Sequence, residues 1–373
     1  MSWYQIINID ELDTPALVVY PERVRQNIVR AVAMVGDAAR LRPHVKTHKT
    51  PAVTRLMLDA GIRRFKCATI AEAEMLAVEG APDVLLAYQP IGPKAGRLAR
   101  LIRQFPATAF SCLIDHPDAA AAMAKLFRDA GLVVPVYLDL NVGMDRTGIA
   151  PGPEAVELYQ TALRLEGIDP VGLHVYDGHI RDTDPAALKA KCDAAFAPVL
   201  ALRAAIGALP GTSGGREMTI IAGGSPTFPV HAGREAEIQC SPGTFVYWDK
   251  GYGDQFPGQP FTPDALVVAR VISLRGDGRL CLDLGHKSIA AENELGRRVF
   301  FLNGPELRAV GQSEEHLVVE AGAGHGYRIG DVFYGVPYHI CPTVALYERA
   351  ITIEEGRISG EWKNVARDRR ITV

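Results

Sequence analysis

Between Leu41 and Cys240 the chain alternates short apolar runs with longer segments of helical periodicity, and this alternation constrains the fold more than any other feature. Strands are expected at Leu41–Lys46, Phe65–Ala68, Val84–Ala87, Phe110–Ile114, Val134–Leu140, Val171–Tyr176, Met218–Ala222 and Ala236–Cys240. Each run is short, apolar and bounded by turn residues. Helices are expected between them at Ile70–Val78, Lys94–Gln104, Pro117–Ala130, Pro153–Leu165 and Pro185–Ile206, several opened by Pro, Asp or Thr in positions suited to a helix start. Eight strand–helix units predict a parallel (β/α)8 barrel of the TIM type, with its active site at the carboxyl ends of the strands.

After about Asp249 the texture changes to short β patterns and Gly/Pro turns, as in Ala265–Leu274, Arg279–Leu284, Leu317–Glu320, Val332–Val336 and Ala350–Glu354. The opening segment through Tyr20 also reads as extended. The expected division is a barrel over residues 21–248 and a β domain made of residues 1–20 plus 249–373. With 373 residues, 48% of them hydrophobic, the chain can bury a sizeable core. A net charge of −3 with scattered Lys and Arg leaves no basic face for nucleic acid. No apolar run approaches the roughly 20 residues of a membrane span, and the first residues lack a signal peptide's basic start and apolar centre, so a cytoplasmic location is expected. Six dispersed cysteines without a CxxC pair do not make a disulfide framework. Gly322-Ala-Gly-His-Gly326 fails the dinucleotide spacing, because Tyr327 stands where the third glycine belongs.

The candidate chemistry lies at predicted strand ends. Lys46 closes the first strand in Leu41-Arg-Pro-His-Val-Lys-Thr-His-Lys49, where partial desolvation makes a lysine amine a usable nucleophile; a solvated basic turn is the competing reading. Arg146 follows the fifth strand on a Gly-bearing loop. Gly172-Leu-His-Val-Tyr-Asp-Gly-His179 ends the sixth with a dense set of titratable groups. Ala222-Gly-Gly-Ser-Pro-Thr227 and Ser241-Pro-Gly-Thr244 end the seventh and eighth, where barrels commonly bind phosphate through backbone N–H groups and small hydroxyls. In the β domain His339 and Cys341 stand two apart. If this stretch is a strand, both side chains face one side and suit an open divalent-metal site, the alternative being a buried cysteine beside an exposed histidine.

Taken together, Thr14-Pro-Ala-Leu-Val-Val19, Pro43-His-Val-Lys-Thr-His-Lys49, Glu72-Ala-Glu74, Met144-Asp-Arg-Thr-Gly148, Pro242-Gly-Thr244 and His339-Ile-Cys-Pro-Thr343 resemble the metal-activated pyridoxal-phosphate enzymes that include D-threonine aldolase and D-serine dehydratase. These are relatives of alanine racemase with fold type III. The resemblance spans essentially the whole chain and implies pyridoxal 5'-phosphate and one divalent ion, zinc or else manganese or magnesium, as cofactors. It makes Lys46 the lysine that bonds the cofactor's aldehyde, Arg146 the partner of its phenolic oxygen and Tyr176 an aromatic neighbour of its pyridine nitrogen. Gly224, Ser225, Gly243 and Thr244 match the phosphate turns, and His339 with Cys341 the metal pair. It further implies a small D-amino acid substrate and a homodimer whose active site lies at the subunit interface. Two reactions stay open: retro-aldol cleavage to glycine and an aldehyde, placed first, and β-elimination to a 2-oxo acid and ammonia. Family aldolases often carry Asp where Cys341 stands, and a thiolate suits zinc; their β-hydroxyl base is a histidine just past the sixth strand, for which His179 sits in a shifted position. An amino-acid racemase, in which an arginine would stand about where Ser241 is, and a non-catalytic pyridoxal-phosphate-binding protein rank below both.

Overall fold

The computed structural model describes residues 2–209 and 218–373. The chain divides into two compact units, one of Ala31–Lys46, Met57–Gly243 and Asp368–Val373, the other of Met1–Arg30, Thr47–Leu56 and Thr244–Arg367. The sixteen strands of the described residues are numbered in chain order. Strand β1 (Ala16–Val19) belongs to the second unit. The first unit holds seven consecutive parallel strands: β2 (Arg64–Cys67), β3 (Asp83–Leu86), β4 (Ala109–Ile114), β5 (Val134–Leu140), β6 (Ile168–Val175), β7 (Thr219–Ala222) and β8 (Ile238–Cys240).

The expected first strand, Leu41–Lys46, is present only as two parallel bridges, Leu41 to Cys240 and His44 to Lys66. It still closes the barrel. The N–H of Arg42 donates to Cys240 O at 2.9 Å on one side, and that of Val45 donates to Lys66 O at 2.9 Å on the other. Pro43, which has no N–H to give, interrupts the ladder and reduces a strand to bridges. The seam is pinned by Arg42, fully buried, whose guanidinium forks onto Asp83 at 2.6 and 2.8 Å and reaches Gln239 Oε1 at 2.7 Å. Arg42→Ala leaves Asp83 without its buried partner and opens a cavity between strands. It should lower stability by about 3 kcal/mol in a denaturant titration, and a loss under about 1 kcal/mol would mean that the pair contributes little to the seam.

The helices begin where the sequence signals them. Pro93, Pro117, Pro153 and Pro185 occupy first-turn positions, where a missing N–H costs nothing. Thr69 caps Ile70–Val78 by accepting the Glu72 N–H. Inside the barrel Leu85, Leu113, Tyr137 and Ile221 form an apolar cluster. The charged residues Lys66, Asp139 and His174 are buried as well, and β5 and β6 place Asp139 opposite His174.

The second unit is a nine-stranded sheet in the order β12 (Arg308–Gln312), β13 (Leu317–Glu320), β10 (Arg279–Leu282), β9 (Ala265–Arg275), β1, β15 (Arg349–Glu354), β16 (Arg357–Lys363), with β11 (Val299–Phe301) paired to β14 (Val332–Pro337), which pairs in turn with β9. Strand β9 is apolar on both sides because both are covered. Val267, Ala269 and Val271 join one core cluster, and the alternate residues Leu266 and Val268 join another. Strand β1 lies in the middle of this sheet, antiparallel to β9 through Val18 and Leu266 and parallel to β15 through Val18 and Ile351.

Candidate active site

A cavity of about 530 Å³ opens among the carboxyl-terminal ends of the barrel strands, with Lys46, Arg146, Thr147, Asp139 and Asp115 in its wall. Lys46 is half-buried. Arg146 reaches over the Tyr176 ring, its Cζ 4.8 Å from the ring centre, a cation–π distance. A Cβ on Gly224 would lie 3.0 Å from Tyr176 Cε2, so this glycine lets the turn after β7 pack against the ring. The turns after β7 and β8 are tied together, since the Gly243 N–H donates to Ser225 Oγ at 3.2 Å. Arg146, Tyr176 and Gly224 thus form one contiguous group, and Ser225 and Gly243 another along the same turns. The Gly224 N–H is already engaged, donating to Thr227 Oγ1 at 3.3 Å. Gly224, Ser225, Gly243 and Thr244 thus lie on two linked turns at the ends of β7 and β8, the place where barrels commonly bind phosphate. His179 is exposed, with its ring against Gly143 of the loop that carries Arg146; a Cβ on Gly143 would be 2.8 Å from His179 Nε2.

A buried cluster built around Lys66, a residue no motif singled out, lies beside this cavity. Lys66 Nζ is 3.4 Å from His174 Nε2, His174 Nδ1 is 2.7 Å from Asp139 Oδ1, and Thr147 Oγ1 donates to Asp139 Oδ2 at 2.8 Å. Burial, then the charge of Lys46, pulls the Lys66 amine down to about 7, Asp139 opposing and Arg146 and Arg42 adding to the shift. Burial also lowers His174. It works to raise Asp139, but the hydrogen bonds from His174 and Thr147 and the charge of Lys66 hold this carboxyl below its ordinary range. Lys46, Lys94 and Arg146 in the wall, with Lys66 beside it, outnumber the carboxylates of Asp115 and Asp139 and give this part of the barrel a surplus of positive charge, which suits a phosphorylated, anionic cofactor.

A second buried group, Asp177, Cys192 and His231, brings three potential ligand atoms within 4.8 Å of one another. It is a clamp rather than an ion site. Asp177 Oδ1 accepts from Thr227 Oγ1 and its Oδ2 pairs with His231 Nε2, both at 2.7 Å, while Arg234 Nε donates to His231 Nδ1. Burial pushes the Cys192 thiol up to about 12, where it is a poor ligand. The clamp holds the turn after β7 from beneath: Gly223 has φ +76°, and a Cβ there would strike His231 Cδ2 at 2.6 Å.

In the second unit His339 and Cys341 do meet, but not on a strand as expected. Strand β14 ends at Pro337, His339 is the N-cap of the helix Ile340–Leu346, and Cys341 lies in its first turn. Pro342, harmless in a first turn and disruptive in a strand, decides between the two conformations. Glu292 Oε1 takes His339 Nδ1 at 2.5 Å, and the imidazole is also hydrogen-bonded to Cys341. Burial works against the charged imidazole, yet Cys341, then Glu292 and Asp249, carry it up to about 9. Thr47 Oγ1 and Thr244 Oγ1 stand 3.1 and 3.7 Å from Cys341 Sγ, and Thr47 is the residue that follows Lys46. An imidazole oriented by a carboxylate, next to a thiol, is a donor set fitted to a borderline-soft divalent ion.

A lysine-bearing cationic cavity at the top of a parallel barrel, with a separate β unit, defines a fold-type-III pyridoxal-phosphate enzyme, and comparison with known proteins makes it a lyase of that class. Residues 19–248 match the alanine racemase N-terminal domain and residues 265–353 the putative serine dehydratase domain. The chain belongs to the alanine racemase N-terminal domain family. It is 29% identical to the D-threonine aldolase of Arthrobacter sp., over 95% of this chain and 93% of that one. It is 25% identical to the D-threo-3-hydroxyaspartate dehydratase of Delftia sp. (strain HT23), over 90% and 93%. Its fold matches the crystal structure of the D-threonine aldolase from Filomicrobium marinum with a TM-score of 0.86 at 25% identity, covering 98% of each chain. No described helix is long and apolar enough to cross a membrane.

Proposed function

We propose that the chain is a pyridoxal-phosphate- and divalent-metal-dependent lyase that cleaves small D-β-hydroxy-α-amino acids between Cα and Cβ, in the manner of a D-threonine aldolase, giving glycine and an aldehyde. The reading is carried by the joint presence of the Lys46–Arg146 cavity and the His339–Cys341–Glu292 donor set in a chain similar end to end to D-threonine aldolase. Pyridoxal phosphate supplies an electron sink for the charge left at Cα. His339 and Cys341 would hold a divalent ion, zinc or else manganese or magnesium, which would polarise the β-hydroxyl.

The rest of the work falls to the chain. Lys46 would anchor the cofactor covalently, and its Nζ would hold a proton beside Cα. Arg146 and Tyr176 orient the ring, while Ser225, Gly243 and Thr244, on the turn shaped by Gly224, hold the phosphate. His179 takes the β-hydroxyl proton. His179→Ala should therefore keep the cofactor's visible spectrum and slow cleavage by roughly 10²–10⁴-fold; unchanged turnover would remove His179 from this role. The enzyme works in the cytoplasm as a homodimer with its active site at the subunit interface, which gives a covering to the exposed Tyr88 and Ile91 at the cavity wall. Sedimentation of the loaded protein tests the dimer.

One observation favours a second reading. Cys341 supplies a thiol where an aldolase would more often have a carboxylate, and in the dehydratase reading Lys46 takes the α-proton, the β-hydroxyl departs, and a 2-oxo acid with ammonia results. Incubating the loaded protein with D-threonine, D-serine and D-threo-3-hydroxyaspartate, and separately with the L-isomers, decides the matter. Glycine plus an aldehyde from the D-isomers alone supports the aldolase, and a 2-oxo acid plus ammonia supports the dehydratase. Inertness toward every D-isomer excludes both.

A further inference from the structure

Lys66 is a buried cation to which the proposed chemistry gives no part. Only 2% of the residue's surface is exposed, and lysines are seldom buried so deeply without a direct carboxylate partner. Here the partner is an imidazole. Lys66 Nζ lies 3.4 Å from His174 Nε2, and Asp139 is reached only through that ring. The same Nζ is 5.9 Å from the centre of the Tyr176 ring, over which Arg146 also stands, and both Arg146 and Asp139 line the cavity with Lys46. A cluster built only for stability would be served better by apolar side chains of the same size, since burying an ammonium without a paired carboxylate is costly.

We propose that Lys66 is a further binding residue of the cofactor site, whose ammonium form adds to the hold on anionic pyridoxal phosphate while the His174–Asp139 pair fixes its position. The inference rests on the cofactor reading above. The groups that face Lys66 are Lys46 and Arg42 from the segment before β2, Asp139 from β5, Arg146 from the loop after β5, and His174 and Tyr176 from β6 and its end. Burial and the surrounding cations push the proton off this amine near neutrality. An anion placed there pulls it back on. The sign follows: below neutral pH Lys66 is charged and strengthens binding, whereas well above it the amine is neutral and adds nothing.

The test uses the whole protein freed of cofactor and the probe 4-deoxypyridoxine 5'-phosphate, which lacks the aldehyde and so cannot bond to Lys46. Its dissociation constant is measured by fluorescence at pH 6 and pH 9.5 for the natural protein, Lys66→Met and Lys66→Arg. Lys66→Met should bind about tenfold more weakly than the natural protein at pH 6 and equally well at pH 9.5. Lys66→Arg, charged at both pH values, should match the natural protein at pH 6 and exceed it at pH 9.5. A merely structural lysine would give the same Lys66→Met ratio at both pH values, and that result, or a ratio of one throughout, overturns the proposal. Lys66→Gln is a second neutral variant should the methionine protein fail to fold, with thermal melts to confirm the fold. Failure of the natural protein to bind pyridoxal phosphate at all counts against the cofactor reading itself, and is distinguished from a natural protein that binds while the variants show no pH-dependent difference.

Discussion

Lys46→Ala is expected to abolish the visible absorbance of the bound cofactor and to lower turnover by about 10⁴-fold or more, since the covalent anchor and a base at Cα go together. The fold should survive, because Lys46 is half-buried and lies in the cavity wall rather than in either apolar core. Two other amines compete for the assignment. Lys49 is three residues on, with a left-handed backbone (φ 52°), and belongs to the second unit. Lys66 is close to the cavity but held by His174. Lys49→Ala and Lys66→Met should both retain the absorbance after loading with pyridoxal phosphate, and loss of the band in either one, with retention in Lys46→Ala, would move the anchor.

Exhaustive chelation is the second large effect. Turnover should fall by about a hundredfold or more while pyridoxal phosphate stays bound, and added zinc or manganese should restore it. His339→Ala should mimic the chelated protein permanently. Glu292→Gln, which weakens the orientation of the imidazole without touching the ion, should cost ten- to a hundredfold in metal affinity. Because coordinating nitrogen and sulfur must be deprotonated, affinity should weaken as pH falls. Full activity with no metal detectable by elemental analysis would end the metal half of the proposal.

The parts of the barrel read best from sequence were those whose signals are local. The helix Ile70–Val78 and the strands Val134–Leu140 and Leu317–Glu320 lie at their expected limits, and the other expected helices end within about two residues of expectation, because proline starts and apolar periodicity act over one turn. What was lost depends on long-range geometry. Arg308–Gln312 and Arg357–Lys363 carry no apolar alternation and are strands only because neighbours offer them a ladder. Lys66 sits in Arg-Phe-Lys-Cys, and nothing within those four residues says whether the lysine faces solvent or the barrel interior. The turns around Tyr176, Gly224 and Gly243 were visible as glycine and hydroxyl clusters at strand ends. Their mutual distances, and the His231–Asp177 clamp beneath one of them, arise from segments about fifty residues apart.

Strand β1 lies at the centre of the β sheet, between β9 and β15. On the ribosome, the middle of that sheet is therefore made first and its neighbours last, after every strand of the barrel has emerged. Until residues 265–275 are synthesised, Ala-Leu-Val-Val has two open edges and no partner of its own sheet, a segment of the type that other chains can capture. The barrel, whose strands pair in the order in which they are made, can close in the meantime. The newly made protein thus passes through a stage in which the barrel strands are paired, with only Asp368–Val373 still to join their unit, while β1 waits for the rest of its sheet, and it is at this stage that a chaperone would have most to protect.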